Sequence, residues 1–252
     1  MNPHASRPPG ALARAAASAL AVSLVGTALV AATATSTAAA DESLLSTSGT
    51  TWRYLDDNTN PAGASADQRV WTTTAFDDSA WKSATGAFGA KRGAATGIGA
   101  AFPITTLLTQ YIEGTTTDVP TFFFRTDVEL TAADLDGVPA FEGEIVYDDA
   151  AIVYVNGEEV VRLGDDDRKI TENLQYHGNG RTDPVTGTFV IPSEAFAPGE
   201  NTISVALYQD APTSSDIYLD VRSLVPTHGE VRDVALNVGA DETQANVAWF
   251  ST

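Results

Sequence analysis

Hydrophobic and polar positions alternate in short runs along the second half of this chain. From Thr121 onwards the runs are five to nine residues long and rich in Val, Ile, Phe, Tyr and Thr, and Gly, Pro, Asn or Asp residues separate them. A period of two without a long helical period predicts an antiparallel β-sandwich. The predicted strands are Phe122–Leu130, Ala140–Tyr147, Ala151–Val155, Glu158–Leu163, Val185–Ile191, Asn201–Tyr208 and Asp216–Leu224.

The strongest local signal is the dipeptide Asn156-Gly157 between two of these runs. Both residues tolerate positive φ, so the pair suits a two-residue type I′ turn and predicts a β-hairpin. Such a turn places Val153 opposite Val160 and Ile152 opposite Val161. Both faces of the hairpin are then apolar, which predicts that it lies inside a sheet and is covered on both sides.

The first half of the chain is more polar and richer in turns. A short strand is predicted at Trp52, a flexible loop at Gly86–Gly99, and either a strand or a helical turn at Ile104–Ile112. The loop holds five glycines but has neither of the spacings of a nucleotide-binding glycine motif, so it predicts no phosphate site. Trp71 and Trp81 allow two interpretations: rings that stack on sugars, or anchors that pack into the core.

Residues 1–40 have the pattern of a secretory signal peptide. Arg7 and Arg14 precede an alanine-rich apolar core, and the small residues Ala38–Ala40 fit a cleavage site before Asp41. An uncleaved membrane anchor is the alternative, but polar residues dilute the apolar run. We therefore predict a secreted, extracellular protein that has no membrane contact after cleavage.

The charge of the chain limits its partners, and the lack of cysteine limits how it can be stabilised. The formal net charge is −19, and removal of residues 1–40 takes away two of the 14 basic and none of the 33 acidic residues, which leaves −21. Nucleic acids and anionic membranes require a basic surface, so both are excluded as partners. Neutral sugars, cations and cell-wall material are compatible with this negative charge. Solubility alone would also explain the charge, without any partner. Without cysteine the chain has no disulfide, and its stability depends on core burial.

Several motifs in residues 50–225 resemble the galactose-binding-like jelly-roll module of many secreted bacterial hydrolases. They are Phe-Asp-Asp-Ser-Ala-Trp, Phe-Phe-Arg, Asp-Asp-Ala-Ala-Ile-Val-Tyr-Val-Asn-Gly and Pro-Gly-Glu-Asn-Thr-Ile-Ser-Val. The resemblance implies a jelly-roll domain over 41–226 with a carbohydrate-binding or spacer role and a cell-wall or extracellular glycan as partner. The candidate ligand-binding residues are Trp71, Trp81, Arg92 and His177.

Residues 227–252 read as a linker followed by two strands around Gly239–Glu242. The segment resembles the start of the fibronectin-III-like (immunoglobulin-like) domain of purple acid phosphatases, of which it would be the incomplete first hairpin. This resemblance implies that the chain is a fragment, the amino-terminal part of a secreted metallophosphoesterase, with the catalytic domain and its dinuclear metal centre downstream of Thr252. No catalytic residue is predicted within this chain, because the histidine-rich metal motifs of that family are absent from it.

Calcium is the one cofactor that the residues themselves suggest. Carboxylate oxygens at Asp148, Asp149 and Asp216 suit a hard cation, and Asp165–Asp167 offer more, although no EF-hand spacing is present. The alternative is that Asp148 and Asp149 accept backbone hydrogen bonds in a turn. The main functional expectation is a non-catalytic binding or spacer region of a metallophosphoesterase, and the alternative is a stand-alone carbohydrate-binding module.

Overall fold

A computed structural model describes residues 43–178, 180 and 183–228, and the backbone of 231–238 and 245–251. The predicted signal peptide lies outside these residues. No helix in the described part of the chain is long and apolar enough to span a membrane. The strands are β1 (Thr51–Leu55), β2 (Lys82–Thr85), β3 (Phe88–Lys91), β4 (Thr106–Leu107), β5 (Thr121–Leu130), β6 (Ala140–Asp148), β7 (Ala150–Val155), β8 (Glu158–Leu163), β9 (Val185–Pro192), β10 (Gly199–Tyr208), β11 (Asp216–Pro226), β12 (Val231–Val238) and β13 (Ala245–Ser251), and one short helix, α1, covers Ala132–Leu135.

Two sheets form the β-sandwich that the sequence predicts. The six-stranded sheet has the order β2-β1-β5-β10-β7-β8, and the five-stranded sheet has the order β4-β3-β11-β6-β9. From β5 to β11 the chain passes repeatedly from one sheet to the other, as in a jelly roll. All strand pairs are antiparallel except β3 with β4. The predicted terminal strands are confirmed as β12 and β13, which pair with each other in a separate sheet.

The core lies between the two sheets and follows from the alternation of side chains along each strand. Phe122 and Phe124 of β5, and Val205 and Leu207 of β10, point inwards and are at most 1% exposed. The five-stranded sheet contributes inward residues in the same way. They include Phe88, Phe141, Ile145, Ile217, Leu219 and Leu224.

The hairpin formed by β7 and β8 confirms the predicted turn but not the predicted register. Asn156 has φ 52° and Gly157 has φ 95°, as a type I′ turn requires. A bulge between Val153 and Tyr154 shifts the pairing by one residue, so that Val153 lies opposite Val161 and Ile152 opposite Arg162. The expectation of an enclosed hairpin is correct only for β7, since β8 is an edge strand of the six-stranded sheet.

The glycine-rich segment differs from the flexible loop that was predicted. Phe88–Lys91 forms β3, which pairs with β11, while Gly86 and Ala87 before it and the residues after Lys91 are irregular. Gly89 is required there because a Cβ atom would lie 2.7 Å from the carbonyl oxygen of Ile217. The undecided stretch Ile104–Ile112 contains a strand, the two-residue β4.

The outer face of the six-stranded sheet is covered by the polar segment that precedes β2. Arg125 of β5 is 2% exposed and points to this face. Its guanidinium donates hydrogen bonds to the Asp78 carboxylate at 2.7 Å, to the Thr73 carbonyl at 3.0 Å and to the Trp71 carbonyl. It therefore holds the whole Trp71–Asp78 turn against the sheet, where Trp71 packs on Phe123.

Replacing Arg125 tests this dependence. Arg125→Met is expected to lower the free energy of unfolding by about 3–5 kcal/mol, because Asp78 and two carbonyl groups would lose their buried donor. The control is Arg69→Met, which removes an ion pair with Glu158 whose side chains are 49% and 77% exposed and should cost less than about 1 kcal/mol. Urea denaturation measures both, and equal losses would contradict the assigned role of Arg125.

Candidate functional site

Four connections between the sheets meet at one end of the sandwich. The start of β5 lies beside the end of β10, which lies beside the start of β7, and the end of β6 lies beside the start of β11. We call this region the crossover end. It comprises residues 108–120, Asp148, Asp149, residues 164–178, 180, 183, 184 and residues 209–216.

Backbone hydrogen bonds join these connections to one another. Gln209 N–H donates to the Pro120 carbonyl at 2.9 Å, and His177 N–H donates to the Gln209 carbonyl at 2.8 Å. Asp118 N–H donates to the Pro212 carbonyl, and Asp149 N–H donates to the Tyr208 carbonyl at 3.1 Å. Backbone hydrogen bonds therefore connect the loops of the crossover end to one another and to the strand ends.

Buried polar side chains are concentrated at the crossover end. They include Gln110, Asp118, Asp148, Asp149, Asp165, His177, Gln209 and Asp216, each at most 5% exposed. In a protein interior such groups normally form hydrogen bonds. Neither the amide oxygen nor the amide nitrogen of Gln209 has a partner among the described residues. This pattern marks the end of the sandwich where polar groups are enclosed without full hydrogen bonding and could be satisfied by bound water.

Asp118 is the most exceptional of these groups. It is fully buried, and neither carboxyl oxygen makes a hydrogen bond of normal geometry, although the Gln110 amide and the Ser214 backbone approach it. Burial raises the pKa of Asp118 to about 6, against the two approaching groups, which lower it. The carboxyl group can therefore change its charge within a mildly acidic range of pH.

The structure brings together two of the carboxylates that were predicted as metal ligands. Asp216 and Asp148 lie on the same outer face of the five-stranded sheet, and the Lys91 ammonium is 3.1 Å from Asp216. Burial, followed by the charges of Asp149 and Asp216, raises the pKa of Asp148 to about 8. Asp149 instead accepts a hydrogen bond from the Asp210 N–H at 2.7 Å, as the turn-holding alternative expects.

These carboxylates do not form a ready metal site. No group of three or more histidine, aspartate or glutamate side chains within the described residues is arranged to hold a metal ion. Lys91 also already neutralises Asp216. Calcium at Asp148, Asp149 and Asp216 therefore stays a prediction from the sequence, to be tested by calorimetric titration and by the melting temperature with and without calcium.

The two tryptophans differ in their access to solvent. Trp71 is 1% exposed and packs edge-on against Phe123 and Tyr154, as a core anchor does. Trp81 is half-buried, with its ring centroid 6.3 Å from that of Trp71 and 5.8 Å from that of Phe76. Of the two, only Trp81 offers part of a ring to a ligand.

Trp81 lies near the crossover end, because the next residue, Lys82, forms an ion pair of 2.7 Å with Asp56. The other carboxylate oxygen of Asp56 accepts a hydrogen bond from the Thr109 N–H. Arg92 is exposed at the same end, and its N–H donates to the Ser215 carbonyl at 3.0 Å.

His177 is not available to a glycan as the structure stands. Its side chain is fully buried, neither ring nitrogen makes a hydrogen bond, and Nε2 lies 3.6 Å from the Asp165 carboxylate. Asp165 is in turn held by Arg162 and by the N–H groups of Lys169 and Ile170. Asp165 therefore organises the loop from inside the protein.

Sequence reasoning missed the tyrosines of this end. Tyr111 and Tyr176 are both half-buried, and both contact the Asp118 segment: Tyr111 by a β-bridge, Tyr176 by a hydrogen bond from its hydroxyl to the Asp118 carbonyl at 2.5 Å. Nothing in the local pattern distinguished them from core aromatics. Their position depends on how the connections pack together.

The comparisons with known proteins give distant fold similarities only. No family model and no curated protein matches this chain, so the predicted resemblance to purple acid phosphatases has no support from them. Among solved structures, the Bacteroides uniformis β-glucuronidase has 14% identity and a TM-score of 0.40 over 72% of this chain and 18% of its own. The Ruminococcus gnavus β-glucuronidase has 12% identity and a TM-score of 0.40 over 80% and 32%.

A glycosyl hydrolase family 2 member from Bacteroides cellulosilyticus has 16% identity and a TM-score of 0.35 over 75% of this chain and 22% of its own. The chain thus spans about a fifth to a third of the length of these structures. At this distance the similarities carry no function to this chain.

The pKa of Asp118 predicts a dependence of stability on pH. Since it is about 6 in the folded state and lower in the unfolded chain, the folded state retains a proton that the unfolded state loses. The free energy of unfolding should therefore fall as pH rises from about 4 to about 6. Relative to Asp118→Asn, the wild type should lose roughly 2 kcal/mol over this range, at 1.36 kcal/mol per pKa unit.

Urea denaturation at several pH values measures this difference. Asp134→Asn is the control with the opposite sign, because hydrogen bonds from Thr131 lower the pKa of the exposed Asp134 carboxyl. The wild type should gain stability relative to that variant as pH rises. Parallel curves for the wild type and Asp118→Asn would contradict the assigned environment of Asp118.

Proposed function

We propose that this chain is a non-catalytic, secreted module that binds a carbohydrate at the crossover end. The observation that carries the proposal is that half-buried aromatic rings and buried hydrogen-bonding groups share this end of the sandwich. Trp81, Tyr111 and Tyr176 supply the rings, and Gln110 and Asp118 lie beside the tyrosines. Sugars combine apolar ring faces with hydroxyl groups, so the half-buried rings would stack on a sugar and the buried polar groups would reach its hydroxyl groups through bound water.

The charge of the crossover end narrows the class of glycan. Its carboxylates outnumber the nearby basic side chains, and Lys91 is already paired with Asp216. Uronic acids and sulfated sugars would be repelled by such a surface. Neutral or cationic glycans are therefore the proposed ligands, in agreement with the formal charge of the whole chain.

The non-catalytic part of the proposal comes from the sequence, and the described residues are compatible with it. His177 and His228 are the histidines of the described residues, and the side chain of His177 is fully buried. No metal-holding group of histidines and carboxylates occurs among those residues. Hydrolysis of a phosphomonoester by the purified chain with divalent metals would overturn this part of the proposal.

Glycan binding is tested with the purified chain on an array of neutral, cationic and acidic oligosaccharides, followed by calorimetry of the best ligand. Trp81→Ala and Tyr111→Ala should each weaken binding up to about tenfold, since a stacked ring contributes about 0.5–1.5 kcal/mol. Val190→Ala is the control, because Val190 is 56% exposed on β9 towards the opposite end. Binding to no glycan, or equal losses in all three variants, would contradict the proposal.

Secretion is proposed from the sequence of residues 1–40. Expression in a Gram-positive host should release into the medium a protein whose first residue is Asp41. N-terminal sequencing of the released protein measures this. Retention of the uncleaved chain in the membrane fraction would support the anchor alternative instead.

The finer expectation, a module in front of a metallophosphoesterase, rests on the resemblance of residues 227–252. The pairing of β12 with β13 is compatible with the start of another β domain. The coding sequence downstream of Thr252 tests this expectation. Histidine-rich metal motifs there would support it, and their absence from a continuing reading frame would remove it.

A further inference from the structure

Three side chains with complementary chemistry share the outer face of the five-stranded sheet. Lys91 of β3 and Asp216 of β11 are direct cross-strand partners, with 3.1 Å between Nζ and Oδ2. Asp148 of β6 lies opposite Tyr218, two residues further along β11, so it is a diagonal neighbour of Asp216 on the same face. An amine, a carboxyl group and a second carboxyl group are thus held together by strand register.

Both carboxyl groups of this triad are buried, and the lysine is largely covered. The side chain of Asp216 is 4% exposed and that of Lys91 is 27% exposed, while Asp148 is 2% exposed. The segment that follows β3 covers the same face of the sheet: its residues Ile98, Phe102 and Ile104 pack against Tyr218 and Val146. The Tyr218 hydroxyl fixes this cover by donating to the Pro103 carbonyl at 3.1 Å.

Asp148 is placed to act as a proton donor and acceptor for this pair. Its Oδ1 atom is buried without a hydrogen-bond partner among the described residues. The side chain is 2% exposed and lies on the same face as Asp216, one strand away. A carboxyl group in this position can exchange a proton with the Lys91–Asp216 pair.

We propose that Lys91 and Asp216 are joined by an intramolecular amide bond, formed after folding with Asp148 as the auxiliary acid. The Lys91 ammonium first gives a proton to the Asp216 carboxylate. The neutral Nζ atom then attacks Cγ of Asp216, a carbon–oxygen bond of the carboxyl group breaks, and the oxygen leaves as water. The proton that Nζ loses on forming the amide passes through Asp148 to the departing oxygen.

The overall reaction is balanced without any other reactant. One ammonium and one carboxylate become one amide and one water, and no net proton or electron is exchanged. A buried site favours this condensation, because it withholds the water needed for the reverse reaction and strengthens the interactions with the auxiliary acid.

A second lysine–aspartate pair in the chain provides a matched comparison. Lys82 and Asp56 are 2.7 Å apart, and Asp56 is 1% exposed, so the reacting groups are as close as in the first pair. The lysine side chain there is 53% exposed, and the adjacent Asp57 is in solvent. Without a covered amine and a buried auxiliary acid, this pair should remain an ion pair.

The test is mass spectrometry of the full chain after denaturation. The wild type should be lighter than its sequence mass by one water, and trypsin should release a branched peptide that joins residues 83–92 to residues 182–222. Because this measurement uses the wild-type protein, it does not depend on the folding of any variant. An unmodified mass together with separate linear peptides would overturn the proposal.

Variants assign the roles of the three groups. Lys91→Arg and Asp216→Ala should have their full sequence masses, and Asp148→Ala should also remain uncondensed although both reacting groups are present. Lys82→Arg should still show the loss of one water. Circular dichroism confirms that each variant is folded. A folded Asp148→Ala variant that condenses as completely as the wild type would overturn the role of Asp148, and a water loss that disappears in Lys82→Arg would overturn the choice of lysine.

Discussion

The fold of this protein depends most on covering both faces of the six-stranded sheet. Its inner face packs against the other sheet, but its outer face also carries large apolar groups, among them Phe123, Ile152 and Tyr154. The polar segment before β2 covers them, with Trp71 packed on Phe123 and Arg125 bound to its carbonyl groups from within the sheet. A charged residue in the middle of a strand thus makes an irregular loop part of the core.

The topology also explains why polar groups are concentrated at the crossover end. Each time the chain passes between sheets there, it leaves regular pairing, and its backbone groups find partners in other connections rather than in strands. Side chains such as Gln209 and Asp118 are enclosed by this packing but are not satisfied by it. An enclosed polar group without a hydrogen bond is energetically costly, which supports the proposal that water or a ligand is bound at this end.

Local pattern predicted the strands well wherever alternation was strong. The ends of β5, β6, β9, β10 and β11 lie within two residues of their predicted positions, because period-two alternation records burial directly. The bulge that shifts the partner of Val153 could not be predicted from the sequence, since it depends on packing across strands. Strand β3 was missed because glycines that allow close contacts look like loop residues in a sequence. The sequence suggested Asp148 and Asp216 as ligands of one cation but did not show that they are neighbours. Their proximity depends on the register between β6 and β11, which are far apart in the sequence.

A covalent link between β3 and β11 would address a specific weakness of this fold. β3 is only four residues long, and one of its neighbours, β4, has two residues, so backbone pairing alone holds this side of the sheet weakly. A chain without cysteine cannot use a disulfide to close a long loop. An amide between Lys91 and Asp216 encloses more than a hundred residues and would restrict the unfolded chain in the way that a disulfide does. Unlike a disulfide it would not respond to the redox state of the surroundings, and it would keep the cover over Tyr218 in place even when the sheet edge opens.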